Sequence, residues 1–188
     1  RYSGGNRDSS STSIQTPLDP ELPQMSLLLL KYIFGSPHII KLAWGFGGPD
    51  LKMLRQAGDD FFRPAFESVN GVLDLSEVIG RSLKTQALGR SSEGLASLPS
   101  SAPKELLKSL AKKDKLSVND ACQIYFGKPL SKREQLSNWI RRPLNAAQKE
   151  YAALDAHCML SVFESAQLQK DDAWRAQITY GLGHGVAD

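Results

Sequence analysis

Apolar positions are unevenly spread along this chain. They concentrate between about Met25 and Phe163, while the first twenty residues are rich in Ser, Thr, Gly and Asn. Residues 1–20 therefore read as a flexible leader, with too little apolar surface to offset the entropy of ordering them. Over residues 25–34, Met25, Leu28, Leu29, Tyr32 and Ile33 form one stripe at helical spacing, and Gly35, Ser36 and Pro37 end the helix. Residues 39–44 are short, apolar and β-branched at their start, which predicts a strand. A turn over 45–49 follows, with Asp50 placed to open a helix over 51–56. A second strand is expected over 72–75, after Gly71, and a helix over 76–84. The Ser/Gly/Pro-rich stretch 88–102 reads as a loop or insertion, and 104–113 as a charged amphipathic helix.

Two further helices carry start signals. Ser117 with Asp120 three residues on is a variant of the capping box, and opens a helix that Gly127 stops. Asn145 with Gln148 opens the last and longest helix, over 146–167. Beyond it the chain holds Trp174 and Tyr180 but no period, and reads as a polar tail over 167–188. The alternation of strands and helices predicts an α/β fold over residues 21–166, with an insertion at about 88–115. Two strands make a poor sheet, so either the leader hides strands or part of the sheet is missing.

Composition narrows the function only mildly. The chain has 188 residues, 41% of them hydrophobic, which allows one domain with a real core. A net charge of +3 permits a polyanionic partner without demanding one. Cys122 and Cys158 are too few for a disulfide framework or a cysteine zinc site, and suggest an intracellular setting, nucleus or cytoplasm. The longest apolar run, 25–30, is too short to cross a bilayer, so no membrane partner is expected.

The informative chemistry lies in the last helix. Tyr151 and Asp155 stand four residues apart, so at about 3.6 residues per turn they share one helix face. An acid that can hold a hard cation then sits beside a phenol that can orient a water. Two-metal phosphodiester hydrolysis needs several carboxylates around ions about 3.5–4 Å apart. Asp50, between a strand and the next helix, is the second candidate, where open α/β sheets place their ligands.

The run Lys128-Pro129-Leu130-Ser131-Lys132, then Gln135 to Leu144 (QLSNWIRRPL), Gln148, and Tyr151-Ala152-Ala153-Leu154-Asp155-Ala156 resembles the DEDDy 3'-5' exonuclease domain. That family includes ribonuclease D and the Werner-helicase exonuclease domain. Upstream, Lys41 to Leu54 (KLAWGFGGPDLKML) resembles its second motif, so that the likeness covers roughly residues 25–165. The resemblance implies a ribonuclease H-like fold and 3'-5' exonuclease activity on a single-stranded 3' end of RNA or DNA, with Mg2+ or Mn2+ as cofactor. It implies that Asp155 ligates the first metal, that Asp50 supports the second, and that Tyr151 orients the attacking water. Glu150 stands where the related histidine subclass has its histidine, and His157 follows the aspartate, so the tyrosine subclass fits. Arg141 and Arg142 are candidate phosphate contacts, against a role in surface salt bridges. Lys112, Lys113 and Lys115 form a basic cluster beside Asp114, read as a solvated helix end or a nucleic-acid contact.

One departure qualifies the match. The family's first motif is an Asp-x-Glu on the first strand. Asp19-Pro20-Glu21 has the letters, but in a proline-punctuated stretch with no apolar strand. The expectation is an N-terminally incomplete or degenerate exonuclease domain, within a longer parent chain, whose activity in isolation is open. The alternative is a non-catalytic nucleic-acid-binding or scaffolding module that keeps the fold.

Overall fold

A computed structural model describes residues 21–46, 49–57, 61–90, 96–168, 173–180 and 182; the side chains of 21, 22, 49, 50, 57 and 173 lie outside that description. In chain order the elements are α1 (Glu21–Gly35), β1 (Lys41–Ala43), α2 (Pro49–Ala57), β2 (Val72–Asp74), α3 (Leu75–Ala87), α4 (Lys104–Ala111), α5 (Val118–Phe126) and α6 (Ala146–Ser165). Short 3-10 turns cover Arg63–Phe66 and Ala173–Gln177. β1 and β2 pair in parallel, Lys41 opposite Val72, Leu42 opposite Leu73 and Ala43 opposite Asp74. The α/β alternation is the one expected from the sequence.

The sheet is small but deeply seated. Val72 and Leu73 of β2 are both buried, as in a parallel strand covered on two faces. Gly71 precedes it with φ +68°, and a Cβ there would lie 2.8 Å from the Ile39 carbonyl oxygen, so glycine is required at this approach. α3 leaves directly from β2. Asp74 caps it, accepting from the Ser76 backbone N–H at 3.0 Å, and also accepts from the N–H groups of Gly45 (3.0 Å) and Phe46 (3.1 Å). Asp74 thus fastens the turn after β1 to the end of β2.

The main core gathers Leu73, Leu75, Val78, Ile79 and Leu83 against Ile124 and Val162. Each such burial contributes about 1.5–3 kcal/mol. Two stretches expected to be peripheral feed this core. Within 88–102, Ala96 and Ala102 are buried and the Ser97 N–H donates to the Ala166 carbonyl at 2.9 Å. Beyond α6, in the stretch read as a polar tail, Leu168, Trp174 and Ile178 are buried, and Thr179 exchanges backbone hydrogen bonds with Val72 at 2.8 and 3.1 Å. Single apolar residues in an aperiodic stretch leave no pattern, which is why the sequence did not announce them. The α1 stripe behaves in the opposite way: Met25, Leu28, Leu29 and Tyr32 are exposed. Among the described residues, no helix is long and apolar enough to cross a membrane.

Candidate active site

The site is built on the start of α6. Asn145 has extended backbone, and its Oδ1 accepts from the Gln148 N–H at 2.8 Å, while the Asn145 N–H donates to Gln148 Oε1 at 3.1 Å. Both halves of the capping box are therefore formed. Gln148 is only 4% exposed, and its Nε2 donates to Ser137 Oγ (3.1 Å) and to the Asn138 carbonyl (3.0 Å). One buried amide so joins the helix start to the preceding loop. Three residues further on, the Tyr151 ring sits 6.0 Å from that of Trp139, whose Nε1 donates to the Glu134 carbonyl at 3.1 Å. The stretch before α6 is thus a scaffold that orients Tyr151.

Tyr151 and Asp155 meet as the one-turn spacing requires. The phenol hydroxyl lies beside the Asp155 carboxylate, near enough for each to perturb the other's protonation. Partial burial and the adjacent Asp155 charge push the Tyr151 hydroxyl above its ordinary range, so it stays protonated and acts as a donor. Asp155 is raised by desolvation, and the Tyr151 hydroxyl offsets part of that rise. Its carboxylate forms no ion pair among the described residues.

Both side chains face a cleft of about 670 Å3. Leu42, Trp44 and Phe46 wall it from β1 and the turn after it, Met53 from α2, and Met159 from α6. Lys132 and Gln135 also line it. Neither was singled out from the sequence as a site residue, because both lie in a loop with no periodicity; their place inside the segment 128–144 was the available signal.

The other expected residues divide. Asp50 is the second residue of α2, one turn before Met53; its side chain lies outside the described residues. Arg142 folds back on its own loop, Nη1 donating to the carbonyls of Trp139 (2.6 Å) and Arg141 (3.1 Å). Arg141 is exposed, and neither arginine lines the cleft. Of Asp19-Pro20-Glu21, the first two lie outside the described residues, and Glu21 begins a helix. Burial, with smaller contributions from neighbouring Cys158 and Asp155, pushes the Cys122 thiol up to about 12, so it is a packing group rather than a nucleophile.

The two ions implied by the family resemblance call for several convergent carboxylates. Among the described residues lining the cleft Asp155 is the single carboxylate, and no three of His, Cys, Asp and Glu gather as a metal-binding group. The described donor set fits one metal-ligating carboxylate and not a two-ion centre.

Comparison with known proteins then places the chain. It is 28% identical over 142 residues to a protein of Aedes aegypti described as an exonuclease mut-7 homolog, covering 75% of this chain and 17% of that one. A human protein of the same description is 51% identical over 43 residues, 23% of this chain and 5% of its own. The chain therefore spans less than a fifth of the length of these relatives. The crystal structure of the Aedes aegypti Nibbler EXO domain shares the fold, with a TM-score of 0.55 at 24% identity, over 78% of this chain and 60% of that one. The small parallel sheet with its helices is accordingly a ribonuclease H-like arrangement. Proteins of this kind generally use divalent metals and act on nucleic acid. Residues 21–170 match the 3'-5' exonuclease family, and the chain belongs to it.

Proposed function

We propose that this domain removes nucleotides one at a time from the 3' end of single-stranded nucleic acid, with Mg2+ or Mn2+ as cofactor. The observation that carries the reading is the adjacent Tyr151–Asp155 pair facing a cleft with aromatic and aliphatic walls. Trp44 and Phe46 offer ring surface to an unstacked terminal base, which a duplex end would not present. Lys132 supplies positive charge inside the cleft; Arg141 and Arg142 would meet phosphates outside it.

Asp155 and Asp50 are the proposed metal ligands, Asp50 on the grounds that it opens α2, which lines the cleft. The cation, when bound, neutralises charge on the scissile phosphate. Tyr151 keeps its proton, so once a cation engages the Asp155 carboxylate the phenol would turn its O–H to the attacking water and position it rather than take its proton. The test is digestion of 5'-labelled single-stranded RNA and DNA with Mg2+ or Mn2+. The expected product is a ladder shortened from the 3' end, abolished by chelation and by Asp155→Ala. Internal cuts, or an Asp155→Ala protein that digests at the wild-type rate, would overturn the proposal.

A further inference from the structure

A second, polar furrow begins where the candidate active cleft ends. Residues 44–46 form the partition: Trp44 and Phe46 face the cleft, and Gly45 between them faces the furrow. The partition is held firmly, with Trp44 Nε1 donating to the Leu116 carbonyl at 2.7 Å and the Asp74 carboxylate accepting from Gly45 and Phe46. From Gly45 the furrow runs between α3 and the α4–α5 connection, as two grooves of about 540 and 670 Å3 that share Lys84.

Its charges are not evenly matched. Arg81 is paired with Glu77 (3.8 Å), Lys108 with Glu105 (3.0 Å) and Lys113 with Asp120 (2.7 Å). Lys84, Lys112 and Lys115 are exposed, line the same furrow, and form no ion pair among the described residues. Against these three cations stands one carboxylate of the furrow with neither an ion pair nor a capping role, Asp114. Three ammonium groups along a furrow that meets the cleft at the 44–46 wall match a chain that carries one negative charge per unit and crosses that wall to place its end in the cleft.

We propose that Lys84, Lys112 and Lys115 hold the phosphates of the single strand whose 3' end occupies the Tyr151–Asp155 cleft. This rests on the exonuclease reading and adds the path of the strand. Three phosphate contacts add about 2 to the slope of log affinity against log salt, roughly a twenty-fold loss of affinity between about 50 and 200 mM.

The experiment measures binding of fluorescent oligo(dT) and oligo(rU), about 20 nucleotides long and in chelator, by the whole chain and by Lys84→Ala/Lys112→Ala/Lys115→Ala. All three lysines are exposed, and circular dichroism checks the fold. The triple variant is expected to bind more weakly at low salt and to lose about 2 from the slope. Lys31→Ala/Lys128→Ala/Lys149→Ala, of equal charge but outside the furrow, is expected to keep the wild-type slope. Wild-type binding with an unchanged slope in the furrow variant, or equal losses in both variants, overturns the furrow and leaves the exonuclease reading standing. A wild-type chain that binds neither oligonucleotide in chelator also overturns the furrow, and the exonuclease reading is then decided by the digestion assay with Mg2+ or Mn2+.

Discussion

Asp120 on α5 and Asp155 on α6 are both helical aspartates beside a hydroxyl, yet their surroundings differ. Asp120 closes a capping box with Ser117, taking its N–H and Oγ at 2.9 Å each, and is paired with Lys113 at 2.7 Å. Desolvation works against its charge, but Lys113 and Ser117 outweigh it and hold the carboxyl below the usual carboxylate range. Asp155 has the phenol of Tyr151 and no cation paired with it among the described residues, and desolvation leaves it above that range. A structural acid is satisfied from within the fold. An acid whose charge the fold leaves uncompensated, in a cleft, is arranged for something that arrives from outside.

The difference can be probed in order of expected effect. Tyr151→Phe removes the donor beside Asp155 while keeping the ring against Trp139; kcat in the nuclease assay is expected to fall about 100-fold, with little change in melting temperature. Asp120→Ala removes a capping partner and half of an ion pair. It is expected to cost roughly 2 kcal/mol, a melting temperature about 4–8 °C lower, with activity retained below the transition. Lys113→Ala, which leaves the capping box intact, is expected to cost about 1 kcal/mol by denaturant titration.

Acidification should separate the two aspartates. The folded pKa of Asp155 lies above its ordinary value of 3.8, so as pH falls it takes its proton before an unperturbed aspartate does. Between 3.8 and that raised value the folded state binds the extra proton, so this group adds stability as pH falls. Asp120 runs the other way: its contribution is present above 3.8 and is lost as pH falls through its lowered folded pKa. A pH profile of kcat/KM measured beside melting temperature should therefore show activity declining first and the Asp120 stability later. Tyr151→Phe should move the acid limb of residual activity upward, since the hydroxyl it removes lowers the Asp155 pKa.

What the sequence revealed was whatever local spacing encodes. Asn145 and Gln148 announced the cap of α6, Ser117 and Asp120 that of α5, and four-residue spacing brought Tyr151 to Asp155. A periodic stripe told less. The apolar positions of α3 are buried, whereas the equally regular stripe of α1 is exposed at Met25, Leu28, Leu29 and Tyr32, because period identifies a face and not what covers it. Trp174 was missed as a core residue for the converse reason, since its burial depends on contacts such as the Phe163 ring 5.5 Å away and on no local pattern. Lys132, Gln135 and the second role of Gln148 emerged only once the loop before α6 had been folded back on that helix.

The central claim is that Asp155 serves chemistry at a cost to stability. Asp155→Asn keeps the shape and an acceptor for Tyr151 while removing the charge, and the direct measurement is nuclease activity and melting temperature on the same preparation. Activity should fall at least about 1,000-fold, equivalent to roughly 4 kcal/mol of transition-state stabilisation, with a melting temperature equal to or above that of the wild type. An Asn variant that digests the labelled strand normally, or that melts several degrees lower as Asp120→Ala should, would contradict it.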